Sequence, residues 1–565
     1  MHYSYLFEAH TIQKYILDSG KLKEMVGASE ILESLTGEHG PLDSLLSNLN
    51  LRHSDDYVFS RRGGGAFYLL FSGEKAYDNA KALMNIWTFV VNELAPGLEF
   101  NHAIAHGDTG KKAIETAKTR LREMRNQPQA GLPEATPLVR RSPRTGMPVI
   151  KKAKEQAGFI WLDAASVEKR KDKYAKGEAL SKKFLPDNNS SPEFVFPRNL
   201  EPEPDKKEAQ SSFPFKNGNR SIGIIHADGN GLGEVLLKLG EDLDAEEYAK
   251  VFFDLSQKID KATRLAAQEA LEPIKKACLE EWQNSKDSSE DSKETIRLPV
   301  RPLILGGDDL TVIVRGDYAL QFARDFIESF EKKTKQELEQ LHNDYPVIPK
   351  LMTACAGITL LKANQPFSLG YALAESLCSA AKTASRALKQ KAGKEYIPGS
   401  LVFHRVTSSF IDDYSFAKER ELSVKLKDSN KILSLTLGAY GVGEFARELP
   451  AFDTLKSIKE LFQKEEMSKG PTRHFLTLLR SDPNEAEEVW RRWEKGMKSD
   501  SKRQQILEKF NYHVSTLFDG QWQAGDMPFR NLGEDEETNS AVISKETFIG
   551  DLINWMAAEG ETHAN

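Results

Sequence analysis

The sequence predicts an α+β fold: one strand–helix–hairpin–helix unit present twice, followed by a helical region. Three observations carry this. Residues 303–314 read LILGGDDLTVIV, an apolar run, a Gly-Gly corner, two adjacent carboxylates and a second apolar run; that is the pattern of a buried β-hairpin with Asp308 and Asp309 at its tip. Residues 57–71, YVFSRRGGGAFYLLF, are a diverged copy of it. After SLTLGAYGV at 434–442 the pattern changes to helical spacing in LKSIKELFQKEE, EAEEVWRRWEKGM and KETFIGDLINWMAA.

In chain order, the first unit is assigned to residues 1–135. It opens on the apolar strand YSYLFEAH and contains the hairpin copy. Residues 101–125, NHAIAHGDTGKKAIETAKTRLREMR, mirror a strand and helix at 355–386, with Ala117-Lys118 standing where Ala381-Lys382 stand. Residues 136–219 are a basic region and linker, whose last part, RNLEPEPDKKEAQSSFPFKNGN, is polar and contains proline. The second unit spans 220–445. It begins with IGIIHADGNGLGEVL at 222–236: a short apolar strand running into Asp228, a Gly-rich turn, then a helical pattern. NSKDSSEDSKE at 284–294 is a solvated insertion of disordered composition. Residues 446–565 are the helical C-terminal domain, in which Trp490, Trp493 and Trp555 are read as helix-packing residues.

The carboxylates set the chemistry. Two anions at the turn of a buried hairpin need compensation, because each uncompensated buried charge costs about several kcal/mol. A divalent cation is the simplest one. Gly306 and Gly307 let another group approach the backbone. Asp228 and Asp308 sit on strand ends that can be neighbours in one sheet, with Asp309 close by, and hard cations such as Mg²⁺ or Mn²⁺ take such oxygens and share them with phosphates. The amides of the turn Gly229, Asn230, Gly231, Leu232 and Gly233, at a helix start, suit phosphate oxygens. This is the layout of a ferredoxin-like palm of the nucleotidyl cyclase or polymerase type, in which two metals activate a 3′-hydroxyl and stabilise leaving pyrophosphate. Lys382 ends an apolar helical face, where it either meets an anion or caps the helix dipole; Arg386, one turn on, can share its role. His226 shares a strand face with Asp228, with packing or hydrogen bonding as its expected role. In the first unit Gly65 and Ala66 stand in the places of Asp308 and Asp309, and the upstream strand ends without an aspartate. That unit is expected to be a structural partner or, at most, a nucleotide-binding half.

Four stretches carry a resemblance to a known family: MHYSYLFEAHTIQKYILDSGKLKEMVGASEIL at the N-terminus, IGIIHADGNGLGEVL, LILGGDDLTVIV, and CAGITLLKANQPFSLGYALAESLCSAAKTASR at 355–386. The chain resembles the large palm-domain subunit of type III CRISPR effector complexes, the CRISPR polymerase, over most of residues 1–445. The resemblance implies two palms, the second catalytic, making a cyclic oligoadenylate or related adenylate messenger from ATP with two Mg²⁺ or Mn²⁺ ions. It places Ala381-Lys382 at the nucleotide phosphates. It implies the other subunits of the ribonucleoprotein, guide RNA and target RNA as partners, and a helical C-terminal domain that docks against small helical subunits. Two departures matter. No adjacent His-Asp pair occurs, so DNA cleavage by the family's nuclease domain is not expected. The inter-palm stretch PLVRRSPRTGMPVIKKA lacks the family's zinc cysteines. Two rivals stand beside this: a stand-alone messenger cyclase without guide RNA, and a nonenzymatic scaffold binding RNA, against which the intact carboxylates speak.

Composition sets the outer limits. The 565 residues suffice for three or four domains, and 39% apolar content supports real cores. Cys278, Cys355 and Cys378 are widely spaced, which excludes a four-cysteine zinc site and suits a reducing cytoplasm. No apolar stretch approaches a membrane span. A net charge of −7 means that nucleic-acid contact must be local. Residues 140–183 hold the densest cations, read either as an RNA contact or as a solvated face. In 450–565, Phe475, Leu476, Leu479, Trp490, Trp493, Phe548, Leu552 and Trp555 recur at helical spacing, enough to close a local core and leave a docking face for a partner.

Overall fold

The computed structural model describes the chain apart from residues 127–135, 156–157, 176, 187–191, 201–211, 217, 244, 285–294, 393–395, 408–412, 426–430, 465–466, 468, 482, 533–541 and 561–565. The expected solvated insertion after Asn284 and the middle of the 198–219 linker lie outside the described residues.

The first sheet contains β1 (His2–Ala9), β2 (Tyr57–Gly63), β3 (Ala66–Phe71) and β4 (Phe100–Gly107), in the antiparallel order β2-β3-β1-β4. Alternation sorts its residues. Tyr5 and Phe7 join Phe67, Leu69, Phe71 and Trp87 in one core with helices Leu22–Thr36 and Ala76–Leu94; Leu6, Tyr68 and Leu70 meet Ala113, Ile114 and Ala117 of helix Gly110–Arg125 in another. This is the ferredoxin-like palm arrangement.

The inter-palm region contains the hairpin β5 (Val149–Glu155) and β6 (Gly158–Asp163), short helices, and β7 (Glu193–Val195), which pairs with β9 (Thr295–Arg297). Four of its cations are structural. Arg144 and Arg170 both reach the fully buried Glu24, at 2.5 and 2.6 Å. Lys169 donates to Tyr15 O, and Lys183 to Leu305 O and Glu33. Burying Glu24 requires partners, because removing one member of a buried pair costs about 3–5 kcal/mol. Arg140, Lys151, Lys152 and Lys154 remain exposed at the hairpin.

The second sheet repeats the plan: β8 (Ser221–Gly229), β10 (Val300–Gly306), β11 (Asp309–Arg315) and β12 (Ala354–Lys362), in the order β10-β11-β8-β12, extended by β13 (Ser400–Arg405) and β16 (Tyr440–Gly441). Helices Ala245–Asn284 and Ala319–Asp344 cover one face. The latter buries Phe322, Phe326 and Phe330 at spacings of four, one apolar stripe. Helix Phe367–Ala392 covers the other. The hairpins of both sheets carry an irregularity at the same place, between Phe59 and Arg61 and between Pro302 and Ile304, so the repeat extends to the backbone.

The C-terminal region is helical, as expected, but not wholly so. Its helices Phe452–Leu461, Lys469–Ser481, Pro483–Met497, Ser501–Leu517 and Ile549–Glu559 are joined by β17 (Arg530–Asn531) and β18 (Val542–Glu546). β18 pairs with β15 (Lys431–Ser434), which also pairs with β14 (Ser423–Lys425). The apolar face expected for a partner is closed within the chain. Phe475, Leu479, Trp490, Trp493, Phe548, Leu552 and Trp555 are buried, and Leu476 is partly buried against the same core. Trp490 and Trp493 pack with tilted rings, 4.7 Å between centroids, which uses their surface for packing. Among the described residues, no helix is long and apolar enough to cross a membrane.

Asp551 ties the last helix to the second palm. It is buried, and it accepts hydrogen bonds from Leu437 N at 3.0 Å and the Tyr440 hydroxyl at 2.6 Å. Burial pushes its carboxyl up to about 7, against the hydrogen bonds from Tyr440, Thr436 and Leu437. A raised carboxyl binds its proton more tightly in the folded state. Its contribution to stability is therefore full below about pH 4 and is lost as pH rises toward 7. Asp551→Asn is expected to fold and to flatten the decline of urea midpoint between about pH 5 and 7.5. A variant with the wild-type slope would remove Asp551 as its source.

Candidate active site

The ladder between β8 and β11 pairs Ala227 with Leu310, so the next step brings Asp228 alongside Asp309. β10 and β11 close at the Gly306–Asp309 pair, leaving Gly307 and Asp308 as the turn. Gly307 has φ +62°, which a two-residue hairpin turn with glycine first requires. Side-chain oxygens of Asp228, Asp308 and Asp309 all lie within 4.8 Å of one another, the one such cluster of potential metal ligands among the described residues. A side chain at Gly229 would meet Asp308 Cβ and Oδ2 at 2.8 Å, so glycine there is what lets the turn lie against β8.

Crowding shows in the electrostatics. Burial, then the Asp228 charge, pushes Asp308 up to about 6. Burial, then Asp308 and Asp228, raises Asp309 well above the carboxylate range. Lys382 is the cation present: its Nζ donates to Asp228 Oδ2 and, at 3.1 Å, to Gly229 O. An all-oxygen cluster with excess negative charge fits a hard divalent cation.

The other expected site residues divide. Gly306 is open: the nearest heavy atom to a Cβ there is Gly64 Cα of the first palm, at 3.9 Å. Gly231, with φ +82°, starts helix Leu232–Asp242, whose first-turn amides at Leu232 and Gly233 have no intrahelical acceptor. Asn230 faces inward instead of toward a phosphate. Its backbone N donates to Thr353 O at 2.8 Å, and its Nδ2 to Thr353 Oγ1 at 3.0 Å and Cys355 Sγ at 3.3 Å. Arg386 is exposed and makes no hydrogen bond or ion pair among the described residues. His226 is buried, lies 3.3 Å from Thr311 Oγ1, and is pushed down to about 4 by burial, so it is neutral.

The first palm corrects two expectations. In it Glu8 pairs with Ala66, and Ala66 pairs with Gly63 at the hairpin turn. Glu8 therefore holds the register position of Asp228, and the strand does carry a carboxylate at its end. Tyr68, Arg61 and Arg125 surround it. Burial would raise the Glu8 carboxyl, but hydrogen bonds from Tyr68 and Arg125 and the Arg61 charge hold it below its usual range. The cation matching Lys382 is thus Arg125 rather than Lys118, which donates to the Tyr248 hydroxyl at 2.7 Å. The two lie about two turns apart on one helix face, and a local Ala-Lys pattern does not say which turn reaches the strand end.

A cavity of about 300 Å³ opens between the palms. His226, Gly306, Asp309 and Thr311 line it from the second palm, and Glu8, His10, Gln13, Gly64 and Arg125 from the first.

Fold and site together define a palm domain of the nucleotidyl cyclase and polymerase class. Residues 221–391 match the family model of Cas10/Cmr2, second palm domain. No curated protein matches the sequence. Among solved structures, the chain is similar to a Csm1–Csm4 cassette in complex with pppApA, at 13% identity over 68% of this chain and 53% of that one, with a TM-score of 0.37. It is similar to the cassette in complex with cA4 at 13% identity over 87% and 63%, with a TM-score of 0.42. A third is the Csm1–Csm4 subcomplex in the type III-A CRISPR-Csm interference complex, at 13% identity over 90% and 70%, with a TM-score of 0.38. The chain spans about half the length of the first of these.

Replacing Asp308 and Asp309 together by alanine is expected to abolish Mn²⁺ binding while leaving the metal-free melting temperature equal or higher, because like-charge repulsion is relieved. Lower metal-free stability with Mn²⁺ binding intact would contradict the assignment. In the first palm, Ala66→Asp is expected to add no Mn²⁺ equivalent beyond those the wild type binds, by calorimetry, since Arg61 and Arg125 already neutralise Glu8. An equivalent beyond the wild-type number would show that the guanidinium groups do not block the site.

Proposed function

We propose that the chain is the nucleotidyltransferase subunit of a type III CRISPR antiviral effector complex, converting ATP to a cyclic oligoadenylate or related adenylate messenger when target RNA is bound. The observation that carries this is the cluster of Asp228, Asp308 and Asp309 at adjoining strand ends of a Cas10-type palm, beside a cavity that a second, acid-poor palm completes. The adenylate product and the complex rest on the family resemblance.

Asp228, Asp308 and Asp309 would hold Mg²⁺ or Mn²⁺, which supplies charge neutralisation at the transferring phosphate and activation of the attacking 3′-hydroxyl, with two ions per site. The chain's own part is positioning and charge. Lys382, held at Asp228, stands where a phosphate oxygen brought to that carboxylate gains a charge-assisted hydrogen bond. The first-turn amides of Leu232 and Gly233 offer further donors. Gly306 keeps the cavity-facing corner of the hairpin free of a side chain where a triphosphate approaches. Gly64, Gly65 and Arg125 of the first palm form the facing wall, so the nucleotides are oriented by both palms.

The decisive assay incubates the purified chain, and the complex assembled with guide RNA, with each radiolabelled nucleoside triphosphate and Mg²⁺ or Mn²⁺, with and without target RNA. Pyrophosphate release and oligoadenylate from ATP alone, in the assembled complex with target RNA, is the expected result. Full-rate turnover by the chain alone would instead establish a stand-alone cyclase. No product under any condition would leave a scaffold.

A further inference from the structure

One carboxylate of the cluster, Asp308, lies in the two-residue turn, and Asp309 directly follows it. The turn here is held from outside its own sheet. Gly307, which directly precedes Asp308, is gripped at both ends of its backbone by helix Ala245–Asn284. Its N–H donates to Asp260 Oδ1 at 3.2 Å, and its carbonyl accepts from Thr263 Oγ1 at 2.6 Å. Asp260 and Thr263 are three residues apart, on one face of that helix. Thr263 is fully buried, and its hydroxyl is also 2.9 Å from Ile259 O in the preceding turn, which fixes where it points. Asp260 is braced on its other oxygen by Arg264, at 3.1 Å. Neither side chain belongs to the carboxylate cluster.

We infer that Asp260 and Thr263 are positioning residues that clamp the Gly307 peptide and so set the spacing of Asp308 and Asp309 from Asp228; the inference deepens the proposed function and rests on it. The three carboxylates repel one another before a cation arrives, and the turn is the part of the cluster free to swing away. A donor and an acceptor on the helix, matched to the two backbone groups of one glycine, oppose that swing. They prepay the ordering that metal binding would otherwise require. The same helix packs its earlier turns on the first palm, through Phe252 against Tyr68 and Phe253 against Phe59, both at 6.5 Å between ring centroids. The clamp therefore ties the metal ligands to the seating of the first palm.

The test measures Mn²⁺ affinity by electron paramagnetic resonance on the full chain, with the melting temperature recorded beside it. Thr263→Val keeps the shape and removes the hydroxyl; Asp260→Ala removes the acceptor. Each is expected to weaken Mn²⁺ binding by about fivefold, the scale of one net hydrogen bond. Thr263→Ser and Asp260→Asn, which retain a donor and an acceptor, are expected to stay within about twofold of wild type. Equal losses in Thr263→Val and Thr263→Ser would assign the effect to packing and overturn the clamp. So would wild-type affinity in both Thr263→Val and Asp260→Ala. A wild-type chain that binds no Mn²⁺ would overturn the metal site itself, and the clamp with it. If Thr263→Val unfolds, Asp260→Ala against Asp260→Asn decides alone, since Asp260 is partly exposed.

Discussion

Three carboxylates held at the meeting of two strand ends are the constraint around which the second palm is arranged. Two unit charges 4 Å apart repel by about 4 kcal/mol in the dielectric typical of a protein surface. A cluster of three would open the hairpin if nothing opposed it. Lys382 answers part of that charge at Asp228, and burial and crowding raise the proton affinity of Asp308 and Asp309. Gly229 gives way to the Asp308 side chain. The long helix beside the turn holds the backbone. Each device offsets the same repulsion by a different means, and none of them takes up the carboxylate oxygens completely, so the cluster retains an appetite for a cation.

The first palm meets the same geometry with a different solution. Its strand end also carries an acid, Glu8, but two arginines and a tyrosine satisfy it permanently. A guanidinium cannot be deprotonated in a protein and presents a fixed fork of donors. The ion pair therefore neutralises this strand end without any group from outside the chain. The two copies thus differ in kind: one is neutralised by the chain itself, the other awaits neutralisation from outside. Their facing hairpin tips, Gly64 and Gly306, leave the cavity between them lined by a closed charge network on one wall and an open one on the other.

Much of this was legible in the residues because it rests on local pattern. The buried hairpin, the Gly-Gly corner, the strand ending at Asp228 and the diverged copy at 57–71 are statements about neighbours in sequence, and strand alternation turns them directly into space. What escaped notice depends on register and on distant partners. Glu8 looked like one polar residue at a strand end, and only its pairing with Ala66 equates it with Asp228. Arg125 and Lys118 share a helix face, and tertiary packing alone decides which reaches the acid. Asp260 and Thr263 sit in an ordinary amphipathic helix with no motif to mark them. The C-terminal tryptophans were correctly read as packing residues. Their helices looked as if they had apolar surface to spare, because the sequence does not show that the helices and two late strands bury it among themselves and against the second palm.

Gly65 sets a packing limit on the first palm. It has φ +73°, and a side chain there would lie 3.2 Å from Ala9 Cβ and 3.3 Å from Ile12 Cδ1. The backbone takes a left-handed turn that only glycine adopts without strain, and neighbouring side chains crowd the space beside it. A substitution at Gly65 alone therefore does not reproduce the place that Asp308 holds in the second palm. The turn conformation, Ala9, Ile12 and the arginines on Glu8 would all have to change with it. Packing at the acid-free turn thus keeps the two palms from being interchangeable.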